Sequence, residues 1–119
     1  MGPPPSGAAA ARFWMRGESI HMQNTIEAKK RCARVAAILK NLAHPQRLFL
    51  LCCLAKDETS VSDLQRQSGA SQSLISQHLT RLRREGLVQA RRQGNFVLYR
   101  IVDPKLSSLI QTMEKTFNE

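Results

Sequence analysis

The sequence predicts a mainly α domain carrying one β-hairpin, and three features predict it. Apolar residues recur at helical spacing along most of the chain from Thr25 onward. A three-residue turn, Gly69-Ala70-Ser71, joins two of these helical stretches. Two β-like runs then flank Gly94-Asn95, a pair suited to the positive φ of a tight turn.

In chain order, Cys32, Val35, Ala36, Leu39, Leu42 and Ala43 fall at i, i+3, i+4, i+7, i+10 and i+11, one stripe of a first helix. Lys29, Lys30, Arg31, Arg34 and Lys40 fill most of its remaining surface. Pro45 suits the first position of a second helix, where its missing N–H costs nothing, with His44 before it as the cap. The run LFLLCCLA, Leu48 to Ala55, marks that helix as central and surrounded on nearly all sides. Ser60 followed by Asp63 has the spacing of a capping box, with Val61 and Leu64 facing inward. Gly69 ends this short helix near Ser68 by taking positive φ. Ser71 caps the next helix, SQSLISQHLTRLRREG, with Ile75, Leu79 and Leu82 as its stripe and Gly86 as its stop. Two helices across such a turn form a helix-turn-helix.

The strands are LVQARRQ, Leu87 to Gln93, and FVLYRI, Phe96 to Ile101. Asp103-Pro104 opens a last helix, on which Leu106, Leu109, Ile110, Met113 and Phe117 keep helical spacing. The sum is a winged helix-turn-helix with an extra helix at each end, spanning residues 23–119. Residues 1–22 are rich in Pro, Gly and Ala without amphipathic period and are expected to be a disordered tail. Its AAAA stretch is too weak for a secretory signal.

Eighteen Lys and Arg against nine Asp and Glu give a net charge of +9, which calls for an anionic partner. Six arginines lie between Arg81 and Arg100 (Arg81, Arg83, Arg84, Arg91, Arg92, Arg100), with Glu85 the single acid there. That concentration suits phosphate neutralisation. Ahead of it, Ser71 caps a helix whose outer face carries Gln72, Ser73, Ser76, Gln77, Thr80 and Arg81. The glutamines can read adenine edges while the arginines hold phosphate, as a recognition helix does in the major groove of double-stranded DNA. His78, next to the inward Leu79, fits either a DNA contact or a hydrogen bond at the edge of the core. Arg91 and Arg92 place charge on the wing. Sparse aromatics argue against stacking on single-stranded RNA. No apolar run reaches transmembrane length, and three cysteines form no disulfide framework, so a reducing cytoplasmic location is expected. No catalytic constellation, cofactor loop or inducer motif stands out. The competing reading is a winged-helix protein-interaction module or a general nucleic-acid binder.

The pieces LKNLAHPQRLFLLCCL, SVSDL, SQSLISQHLTRLRREGLV and RRQGNFVLYRI resemble the ArsR/SmtB family of bacterial dimeric winged-helix repressors. With the flanking helices, the match covers about four fifths of the chain. The resemblance implies a homodimer built from the first and last helices, a pseudo-palindromic operator, and release of DNA on binding an inducer. Metal-sensing members keep cysteines at the positions of Ser60 and Ser62, and their other site uses Asp and His on the last helix. Here the first pair are hydroxyls and no histidine follows Glu85, so no metal is expected. The QSLISQHL wording is closer to a thiol-based subgroup that senses sulfide or oxidants. That subgroup pairs a cysteine at the position of Cys52 with one near Asn118, which is absent here. A redox switch in this chain would need Cys53 or Cys32 as the partner of Cys52, and adjacent cysteines on a helix bridge poorly.

Overall fold

The computed structural model describes residues 22–118, so the expected disordered tail lies outside the described residues apart from Met22. The elements are α1 (Met22–Leu42), α2 (Pro45–Lys56), β1 (Thr59–Ser60), α3 (Val61–Ser68), α4 (Gln72–Arg84), β2 (Val88–Gln93), β3 (Phe96–Ile101) and α5 (Pro104–Phe117). They fall into two units divided within α1, after Ala36. In the first unit, residues 26–36 of α1 are exposed throughout, including Ile26 and the stripe residues Cys32, Val35 and Ala36.

The second unit, residues 37–118, holds the core. Leu50, Leu51 and Leu54 of α2 meet Leu64 of α3, Ile75, Leu79 and Leu82 of α4, and Leu106 and Ile110 of α5. Leu51, Leu64, Leu79, Leu82 and Ile110 have no exposed surface at all. Burying side chains of this kind stabilises by about 1.5–3 kcal/mol each before chain entropy is counted. The α2 helix is therefore central as expected, but not on all sides: Phe49 is exposed. A side-chain bond from Gln111 Nε2 to the Ala55 carbonyl (2.7 Å) ties α5 to the end of α2, where a helix leaves carbonyls without partners.

Punctuation follows the sequence closely at most ends. The Ser60 hydroxyl accepts from the Asp63 N–H at 3.1 Å, and the Ser71 hydroxyl accepts from the Leu74 N–H at 3.2 Å. Gly69 takes φ +70 at the end of α3, where a side chain would be strained. At the other end, Asp103 caps α5 through the Lys105 N–H. His44 departs from expectation: it occupies the cap position of α2 but its side chain makes no capping bond. Its ring lies against His78 instead, with centroids 4.9 Å apart.

The hairpin joins a strand the sequence did not signal. β1 pairs antiparallel with β3, making a three-stranded sheet in the order β1-β3-β2. Two residues are too few for an alternating pattern, so β1 exists only through its partner. In the hairpin Gln93 faces Phe96, leaving Gly94-Asn95 as the loop. Only Gly94 has positive φ, the mark of a type II′ turn.

Replacing Ser60 with alanine should lower unfolding free energy by about 1 kcal/mol, within the 0.5–2 range for lost N-caps. Urea denaturation with an unchanged m-value is the check.

Candidate nucleic-acid interface

The stripe Ile75, Leu79 and Leu82 is driven into the core, so α4 can present only its opposite face. That face carries Gln72, Ser73, Ser76, Gln77, Thr80 and Arg81, and all six are exposed. Ser71, exposed at the cap, spends its hydroxyl on the helix start. An open trough of about 630 Å³ runs beside the second half of the helix, lined by Ser76, Gln77, Thr80, Arg81, Arg84 and Glu85. Arg81 and Glu85 approach to 3.9 Å at i, i+4, a loose exposed pair. Among the described residues Arg83, Arg84 and Arg92 have no ion-pair partner. Their charge is available to an anion.

His78 sits at the junction of α4 with α2 rather than on the outer face. Its Nε2 shares a 2.9 Å hydrogen bond with Gln46 Oε1. Burial, followed by the proximity of His44 and Arg47, holds its imidazole below the usual histidine range. His44 Nδ1 and Arg47 Nε are themselves buried with no hydrogen-bond partner among the described residues. Positive charge on His44 and Arg47 adds to burial in disfavouring a second N–H on His78.

The two wing arginines differ. Arg91 Nε and Nη2 donate to Glu58 Oε2 and Oε1 at 2.7 and 2.6 Å, and Nη2 also donates to Gln93 Oε1 at 3.2 Å. Arg92, next along β2, points to the other face of the sheet and has no such partner among the described residues. On β3, Arg100 donates to Gln89 Oε1 at 2.8 Å. The Glu58–Arg91 pair spans 33 residues of sequence and carries no local signature, so the sequence did not reveal it.

The sulfur and metal expectations land elsewhere. Cys52 is half-buried in a groove of about 600 Å³ between α2 and α5, whose lining also includes Glu114 and Asn118. Asn118, near which the thiol-based subgroup keeps its second thiol, lines the same groove with an amide. Burial, then the negative charge of Glu114 and Cys53, pushes the Cys52 thiol up against the weaker opposing pull of Lys56. A protonated thiol is a poor nucleophile. Cys53 is raised for the same leading reason, and Cys32 is an exposed, free cysteine on α1. Among the described residues no group of three His, Cys, Asp or Glu is placed to hold a metal ion. Ser60 is occupied as a cap, and Ser62 lines a shallow hollow with Asp63, Arg66 and Phe96. No helix among the described residues is long and apolar enough to cross a membrane.

A polar outer face on the second helix of a helix-turn-helix, flanked by arginines and a wing, defines a DNA-binding regulator. Known proteins agree. Residues 44–90 match the model of the bacterial regulatory protein, arsR family. The chain is 36% identical over 103 residues to the biofilm growth-associated repressor of Xylella fastidiosa (strain Temecula1), covering 87% of this chain and 90% of that protein. The crystal structure of the transcriptional repressor BigR from Xylella fastidiosa has a TM-score of 0.73 at 37% identity, over 80% of this chain and 97% of that one. Reduced HlyU from Vibrio cholerae N16961 has a TM-score of 0.73 at 34% identity, over 78% and 98%. The homodimeric winged helix-turn-helix domain of Mb0332 from Mycobacterium bovis has a TM-score of 0.63 at 29% identity, over 86% and 89%. The chain belongs to the arsR family of bacterial regulatory proteins, and it is a winged helix-turn-helix transcription regulator.

The depressed His78 value has a definite sign. An unfolded chain takes up the proton first, so the His78 contribution to stability is full above the ordinary value of about 6.5 and is lost as pH falls through the folded one. Between pH 7.5 and 5 the native protein should lose more stability than His78→Gln, as measured by denaturation at each pH.

Proposed function

We propose that this chain represses transcription as a homodimer on an inverted-repeat operator, with α4 of each protomer in a major groove. The observation that carries the reading is the outer face of α4, where neutral hydrogen-bonding groups lead and arginines follow. Gln72 and Gln77 suit bidentate pairing with adenine, each worth about 1–3 kcal/mol of discrimination. Ser71, Ser73 and Ser76 fit shorter contacts to base edges or phosphate, and Arg81 fits phosphate at the far end of the groove. Arg92 reaches backbone from the wing. His78, bonded to Gln46, positions α4 on α2 and contacts DNA at most from its margin.

Two observations support the dimer. Relatives include a homodimeric domain, Mb0332. In addition, Ile26, Val35 and Leu39 on α1 and Leu109 and Phe117 on α5 are large apolar side chains left exposed, Phe117 at 81%. Water-exposed apolar rows of this kind are what a two-fold partner covers. A two-fold dimer would read half-sites about 34–36 Å apart, one turn of the duplex. The repressor sense follows the Xylella fastidiosa relatives, which are named repressors, whereas a further relative is named transcriptional activator HlyU. Nothing in this reading requires a sulfur switch at Cys52.

Gln77→Ala and Gln72→Ala should weaken binding to the cognate duplex by about 1–3 kcal/mol and leave random duplex nearly unchanged. Arg92→Ala should weaken both alike and flatten the salt dependence by about one unit per protomer engaged. Fluorescence anisotropy titrations across a salt series measure both effects. Equal losses on cognate and random duplex for the glutamine variants would remove α4 from the recognition role.

A further inference from the structure

We propose that Arg91 is a positioning residue: through Glu58 it braces the wing against the strand that enters the helix-turn-helix, leaving Arg92 as the wing arginine that meets phosphate. The proposal rests on the reading of the chain as a DNA-binding regulator and assigns different tasks to two adjacent arginines that look equivalent in sequence.

The sheet order makes the case. β3 is the middle strand, with Leu98 opposite Ser60 on one side and opposite Arg91 on the other. Glu58 lies two residues ahead of Ser60, so its pairing with Arg91 crosses the middle strand and ties both outer strands together. Glu58 is itself held: its N–H donates to Asp57 Oδ1 at 2.8 Å, and the Thr59 hydroxyl donates to the Asp57 carbonyl at 2.9 Å. The strand it precedes ends at Ser60, whose hydroxyl starts α3. A change in wing angle must therefore pull against the start of the helix-turn-helix.

The guanidinium is also largely spent. Three of its five N–H donors are directed at Glu58 and Gln93, and the carboxylate neutralises its charge. The Arg91 hydrogen bonds, then burial acting the other way, then the charges of Arg91 and Arg100, leave the Glu58 carboxyl below the usual range, so it stays ionised. A phosphate approaching Arg91 would meet that carboxylate beside it. Arg92 faces the opposite side of the hairpin and has no ion pair among the described residues.

The test combines two measurements on the full chain. The first is hydrogen exchange of the β2 and β3 amides in the DNA-free protein. Arg91→Ala and Glu58→Gln should each speed exchange several-fold, and the exchanged pair Glu58→Arg with Arg91→Glu should restore it, while Arg92→Ala leaves it unchanged. The second is the salt dependence of binding to mixed-sequence duplex DNA, read as the slope of log K against log salt. Arg92→Ala should reduce the slope by about one per protomer engaged, the signature of a lost phosphate contact, whereas Arg91→Ala keeps the native slope. The proposal is overturned if exchange is unchanged in both brace variants. It is equally overturned if Arg91→Ala reduces the slope as Arg92→Ala does, or if Glu58→Gln tightens binding by freeing Arg91 for DNA. Failure of the native chain to bind any duplex would defeat the regulator reading instead, and the exchange measurement would still judge the brace.

Discussion

The burial of Ile75, Leu79 and Leu82 is the constraint on which the rest depends. These side chains dock α4 on α2 and α3, and the 3.6-residue repeat then dictates which residues look outward. Because the stripe cannot rotate without exposing leucine, Gln72, Ser73, Ser76, Gln77, Thr80 and Arg81 are presented in one fixed row. The short α3, capped by Ser60 and ended by Gly69, sets the distance and angle of that presentation. Core packing and the outward face proposed to meet DNA are thus two consequences of one periodicity.

The sheet works by the same alternation with period two. Val88 and Ile101 point into the core at the base of the hairpin, so successive residues along β2 are forced to opposite faces. Arg91 and Arg92 consequently meet different surroundings although they are neighbours. One finds Glu58 and is neutralised, and the other has no ion pair among the described residues. The net charge of the chain understates this division, because an arginine already paired offers little to phosphate.

Much of this was legible in the sequence, and what was not has physical reasons. Ser60, Ser71, Gly69 and Asp103 act locally, over a few residues, and their roles could be read from spacing alone. The outer face of α4 follows from periodicity and was likewise readable to the residue. β1 escaped because two residues carry no period. Glu58–Arg91 and His44–His78 escaped because each joins residues more than thirty positions apart, which only the folded chain brings together. His44 looked like a cap because of Pro45 after it, yet a ring neighbour on α4 claimed the side chain. Phe49 looked buried in an apolar run, but a helix packed on several neighbours can still leave one edge to solvent.

A two-fold pair of α4 faces is proposed to read a specific duplex. Binding selection from a random-sequence duplex pool tests it most directly. Selection should enrich an inverted repeat whose half-sites are centred about one helical turn apart, near 10–10.5 base pairs. A pool that stays flat through selection, or that yields a motif without two-fold symmetry, would contradict it.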